Sequence, residues 1–202
     1  MAYPTVDAPY GLKPVNLIGG QVFAGATRNM EIASGYATNI FYGDLVKRIT
    51  SGTIELDAGT ATATPCGVFL GCTFTNGSTG QVQFQQFYPA SQSIKSGTKI
   101  FAVVADDPDT LFQVVSCSAT TTVAGMGISA IGNNIALIQN AGSTTTGNSK
   151  VAIDEGTQAT TNTLPIRIID VVRETATGAD TFVEFIVKIN ATMHQYNNST
   201  GV

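Results

Sequence analysis

Residues 43–74, GDLVKRITSGTIELDAGTATATPCGVFLGCTF, constrain the fold more than any other part of this chain. Three short runs rich in β-branched and aromatic residues, 45–50, 53–56 and 68–74, are separated by Ser51-Gly52 and by Asp57-Ala58-Gly59. Such side chains suit a pleated, half-buried surface, and glycine in a two-residue connection supplies the positive φ of a tight hairpin. The stretch predicts three strands and two turns, arranged as a β-meander.

The same grammar continues along the chain. A strand is predicted at 27–32, followed by irregular chain at 33–41, where Ser34, Gly35 and Asn39 interrupt any period. The cluster NGSTG leads into 81–88, where alternation puts Val82, Phe84 and either Gln86 or Tyr88 on one face. Runs at 99–104 and 111–116 flank ADDPDT, which reads as a second hairpin with an Asp- and Pro-built turn. From 118 to 147 Thr, Ser, Gly and Asn dominate, with a short helical turn expected near 123–128 and one buried strand at 135–138. AGSTTTGNS then reads as a contact loop, and 157–163 resembles it. PIRIIDVVR and TFVEFIVKI, joined by ETATGAD, predict a closing antiparallel hairpin. With no fixed-period repeat and no helix longer than two turns, the fold class expected is all-β, an antiparallel β-sandwich or barrel with long loops.

Residues 1–25 carry Pro4, Pro9, Pro14 and the Gly19-Gly20 pair among unperiodic apolar residues. Proline removes donors and blocks helix, so these residues predict an extended N-terminal arm preceding a β-rich domain at 26–202, which contains the loop-rich excursion at about 118–165. Ordering so apolar an arm must be offset by burial, either against another subunit, the preferred reading, or back on its own domain. The expected contact residues are Tyr3, Tyr10, Leu12, Pro14, Leu17 and Ile18.

A chain of 202 residues buries roughly 70% of its unfolded surface without needing disulfides or metals. Charged residues are 12% of it, against about 25% in an average domain. Little charge repulsion separates such molecules, which suits packing against copies or a partner. The net charge of −4 and ten scattered basic residues leave no footprint for a phosphate backbone, so no nucleic-acid partner is expected. The start, MAYPTVDAPYGLKP, lacks a signal peptide's charged and apolar regions, and no apolar run reaches membrane-spanning length; neither that secretion route nor a membrane is expected. Three cysteines, Cys66, Cys72 and Cys117, are an odd set and read as reduced, buried thiols.

Candidate chemistry is sparse. Hydroxyl or thiol nucleophiles need a base, and the only histidine, His194, reads as a polar tail residue. Asp154, Glu155, Asp170, Glu174 and Glu184 offer carboxylates for glycoside cleavage, but the chain has no tryptophan platform. Asp154-Glu155 reads instead as an exposed turn and Glu184 as the wet face of a strand. Asp106, Asp107 and Asp109 bracket Pro108 without the spacing or bend glycine of a calcium loop. The cysteines form no CxxC pair, and no glycine loop opens a helix to cradle phosphate. No catalytic residue, metal or cofactor is expected, and the chain does not read as an enzyme.

The pieces APYGLKPVNLIGG, GDLVKRI, TPCGVFLGC, PIRIIDVV and FVEFIVKINATMH together resemble the head decoration, or cement, proteins of tailed bacteriophages. In that family a strand beginning Gly-Asp-Leu-Val is followed by a variable turn and a strand opening Pro-Cys/Ile-Gly-Val, as at residues 43–46 and 65–68 here. The resemblance implies a β-rich homo-oligomer, a trimer, assembled in the host cytoplasm and seated on the capsid exterior, where it clamps major capsid protein subunits. A phage tail or fibre module binding a host surface glycan is the alternative.

Overall fold

The structure, a computed structural model, describes residues 9–117, 126–176 and 182–202. Its strands are β1 (Lys13–Leu17), β2 (Arg28–Ile32), β3 (Leu45–Arg48), β4 (Ile54–Leu56), β5 (Gly67–Thr75), β6 (Val82–Gln85) and β7 (Ile100–Ala105), then β8 (Thr110–Cys117), β9 (Asn134–Ile135), β10 (Leu137–Ile138), β11 (Ala152–Asp154), β12 (Ile166–Val171) and β13 (Glu184–Ile189). Helical geometry among the described residues is confined to 3-10 turns at Ile128–Ala130, Glu155–Thr157 and Arg173–Thr175. The chain is all-β, part barrel and part sandwich.

The first sheet curls on itself in the order β3-β4-β2-β7-β5, and β5 pairs again with β3. The weakest seam is the parallel contact of β2 with β4, where Ile32 faces Ile54. β6 extends the sheet beyond β5. Met30, Ile32, Val46, Ile54, Phe69, Cys72, Phe74, Ile100, Ala102 and Val104 fill the interior, and Ile40, Cys66 and Tyr88 complete the cluster. A register shift between Phe69 and Gly71 resets the alternation of β5, so that Cys72 and Phe74 follow Phe69 to the same side. Val68 faces the second sheet, whereas Phe69, Cys72 and Phe74 face the barrel interior. The extra residue of such a bulge re-aims the side chains on either side of it. Gly71 adopts φ +141°, and a Cβ there would lie 2.8 Å from the Phe84 ring, so only glycine fits.

The second sheet runs β10-β11-β8-β13-β12-β9. One side of β8 is shared: β1 pairs antiparallel along it from Lys13 opposite Gln113 to Leu17 opposite Thr110, and β11 lies parallel to Ser116 and Cys117. Leu12, Phe112, Val114, Ile153, Ile166, Ile168, Phe185 and Val187 pack between this sheet and the barrel wall, which contributes Leu45, Val68 and Ala105.

Several expectations change here. The runs 45–50, 53–56 and 68–74 each contain a strand as predicted, at Leu45–Arg48, Ile54–Leu56 and Gly67–Thr75, and the Ser51-Gly52 turn forms, with Gly52 at φ +82°, but they are not a meander. β5 returns along the far side of β3 instead of pairing with β4. The buried Asp57 carboxylate accepts hydrogen bonds from the Gly59 and Thr64 amides and so holds the connection as a wide loop. The hairpin expected around ADDPDT is also absent: β7 has both edges occupied by β2 and β5, so the chain crosses to the second sheet to begin β8. Parallel pairings of β2 with β4 and of β8 with β11 make both sheets mixed rather than purely antiparallel. The strand expected at 135–138 divides into β9, against β12, and β10, against β11. Half of the helical turn expected near 123–128 lies outside the described residues, and the 3-10 turn begins at Ile128. The closing hairpin of β12 and β13 forms as expected.

The segment expected as an arm is, from Tyr10 to Leu17, a member of the domain. The Gly11 amide donates to the Val151 carbonyl and the Leu12 amide to the Gly43 carbonyl, Leu12 is fully buried, and β1 extends the second sheet.

Candidate functional site

The expected contact residues meet different fates. Tyr3 lies outside the described residues. The Tyr10 hydroxyl donates to Glu184 Oε1 at 2.6 Å, and the Lys13 ammonium sits 4.0 Å from its ring centre. Burial first, and the adjacent Glu184 carboxylate second, push the Tyr10 phenol well above its usual range. This ring packs on Val115, Cys117 and Ala152, a small apolar cluster on the outer face of the second sheet. Leu12 is core, Pro14 pairs opposite Phe112, and Leu17 is half-buried. A turn closed by the Leu17 amide on the Gln21 carbonyl, at 2.8 Å, carries Ile18 outward. Ile18 and Val22 are 49% and 78% exposed and Val15, at the irregularity of β1, is 43% exposed, so the outward apolar residues of this region lie on the turn and at that one position of β1.

A second outward apolar face lies on the barrel wall. Thr73 of β5 stands opposite Phe84 of β6 on one side and Phe101 of β7 on the other, so the two rings flank it across three strands. Val82 and Phe84 are 72% and 66% exposed, and Phe101 is 41% exposed. Alternation placed Val82 and Phe84 together correctly; nothing in it said that their face would be left uncovered. The signal for Phe101 was weaker still, because IFAVVA reads as a run without polar punctuation.

The polar candidates are engaged in holding the two sheets together. His194 is fully buried rather than a polar tail residue. Its Nδ1 accepts from the Tyr196 amide at 3.2 Å, and the two rings lie 5.2 Å apart. The Tyr196 hydroxyl donates to Asp106 Oδ2 at 2.6 Å, and Arg28 Nε reaches the same oxygen at 2.9 Å. Gln195 brackets the Arg48 backbone, accepting from its amide and donating to its carbonyl. Burial holds the His194 imidazole below its ordinary value of 6.5 against the opposing pull of Asp106.

The remaining carboxylates have separate duties. Asp107 accepts from the Asp109 amide, and Asp109 pairs with Lys188 at 2.6 Å. Asp154 caps the 3-10 turn by accepting from Gly156; Asp170 accepts from the Val171 amide. Glu155, expected in an exposed turn, is buried, and Glu184, expected on a wet face, is half-buried under Tyr10. Among the described residues, no group of three or more His, Cys, Asp and Glu side chains is placed to hold a metal. All three cysteines are free and buried, and burial pushes the Cys66 and Cys72 thiols up to about 12 and Cys117 to about 11. At those values the nucleophilic thiolate is scarce.

A cleft of about 420 Å³ opens beside Asn39, Phe41, Leu56, Gln139, Asn140 and Thr144. Its amides are spent on the backbone: Asn39 accepts from the Ala90 amide, Gln139 donates to the Asp57 and Gly59 carbonyls, and Asn140 donates to the Lys150 carbonyl. Those three amides, which could otherwise orient a ligand, already hold loops in place.

No protein-family model, curated protein or solved structure matches this chain.

Proposed function

We propose that this protein works by binding rather than turnover, as a structural virion protein that attaches to the outside of a tailed-phage capsid and clamps neighbouring major capsid subunits. The observation that carries the reading is the pairing of exposed apolar residues with a sparsely charged chain. Val82 and Phe84 on β6, Phe101 on the barrel wall, and Ile18 and Val22 on the β1 turn, face water from an all-β body. Exposed apolar clusters mark interaction surfaces, and with charge at 12% few ions need desolvation when such a surface is covered. A protein that binds only the assembled lattice stabilises it by mass action, summed over many sites.

Shells of the phage that carries this gene, stripped of accessory proteins, supply the test. The protein should co-sediment with them and raise their melting temperature, and Ile18→Asp with Val22→Asp should weaken attachment while leaving the fold intact. Absence from the shell pellet, with retention on a host-glycan array, would overturn the reading in favour of a tail or fibre module.

A further inference from the structure

We infer that the outer edge of β6 is a docking strand for a second copy of this chain, joining two barrels across a two-fold axis through Gln83. β6 pairs with β5 on one side, and no described strand or isolated bridge occupies the other. The direction of its main-chain groups follows from its neighbours. The Asn76 amide donates to the Gln81 carbonyl, so Asn76 and Gln81 are a hydrogen-bonded pair. The register then alternates: Thr75 with Val82 and Thr73 with Phe84 are non-hydrogen-bonded pairs, while Phe74 with Gln83 is hydrogen-bonded. The Thr75 carbonyl agrees, since it turns the opposite way to accept from the Lys95 amide. The N–H and C=O groups of Val82 and Phe84 therefore point out of the sheet edge.

An antiparallel copy centred on Gln83 matches this pattern. Val82 faces Phe84 of the second copy and Phe84 faces its Val82, giving four main-chain hydrogen bonds across the axis. The side chains agree too, because each aromatic ring meets a β-branched neighbour, the favoured cross-strand combination, on the face continuous with Phe101.

Charge decides in favour of a like partner. Exposed edges are ordinarily protected by lysine, proline or an inward charge. Here no charged residue lies between Asp57 and Lys95, and QVQFQQ carries no proline. The nearby Lys99 and Glu31 neutralise each other at 2.6 Å. Two such edges approach without like-charge repulsion, whereas a basic or acidic partner would find nothing to pair with. The contact does not depend on the capsid reading and is tested with the purified protein alone.

Sedimentation over a range of concentrations should show a species of twice the 21.0 kDa chain mass. Val82→Pro removes an outward donor without touching a bond to β5 and should return the protein to monomer with its circular dichroism unchanged. Under mild oxidation Gln83→Cys should form a symmetric disulfide dimer at least tenfold faster than Gln81→Cys, because a non-hydrogen-bonded antiparallel pair holds Cα atoms about 4.5 Å apart. A monomer at every concentration, a doubled mass that survives Val82→Pro, or equal crosslinking by the two cysteine variants would each overturn the inference.

Discussion

β8 and β6 pose the same problem and solve it differently. Each is held on one side by a neighbour in its sheet, β13 for β8 and β5 for β6. The second side of β8 is closed by β1 and β11, but the second side of β6 is left open among the described residues. The chain spends its own N-terminal strand on the edge that borders the main core and leaves uncovered the edge that lies beyond a closed barrel. A strand whose inner face completes a core must be shielded for the fold to survive, whereas β6 can remain open because β5 already completes the barrel. The difference separates an edge needed for folding from one available for binding.

Removal of residues 1–17 should have the largest effect. If β1 is structural, the truncated chain should lose cooperative thermal unfolding, followed by circular dichroism; a retained sharp transition would make β1 an appendage. Leu12→Ala tests the same edge more gently. It should cost about 2–5 kcal/mol by urea denaturation, as truncation of a fully buried leucine does.

The pH dependence probes the seam between the barrel and the second sheet, where His194 is buried beside Tyr196. Its folded value lies below 6.5, so the unfolded chain takes up the proton first. The stability that His194 contributes is therefore present above about pH 6.5 and lost as pH falls toward the folded value, by at most about 1.4 kcal/mol for each pH unit. Chemical denaturation at pH 7.5 and 5.5 should show that loss, and His194→Gln should flatten it. Smallest of all should be Phe84→Ala: at dilute, monomeric concentrations its effect on stability should stay within about 0.5 kcal/mol, as for other exposed positions. A cost as large as that of Leu12→Ala would mean that β6 belongs to the core.

Much of the strand inventory was legible because alternation and turn residues are local. β3, β4, β5, β12 and β13 all fall where β-branched runs and glycine turns put them. Partner choice was not legible. The ADDPDT stretch looks like a hairpin turn, yet it became a crossover because β2 and β5 had already taken both edges of β7. Of the contact residues, Ile18 was placed outward and Leu12 inward, a distinction that depends on where β1 docks rather than on its composition. His194 looked like tail because nothing near it in sequence announces that Gln195 and Tyr196 would anchor the last residues to Arg48 and Asp106.

An all-β chain with little charge, buried thiols and an uncharged stretch from 58 to 94 is written locally, since propensity, turn chemistry and composition act over a few residues. Which apolar faces are covered is settled by long-range packing. Val82 and Phe84 alternate as regularly as Ile166 and Ile168, yet the first pair meets water and the second is buried. A two-residue period specifies that side chains share a face, while covering that face requires another layer brought from elsewhere in the chain.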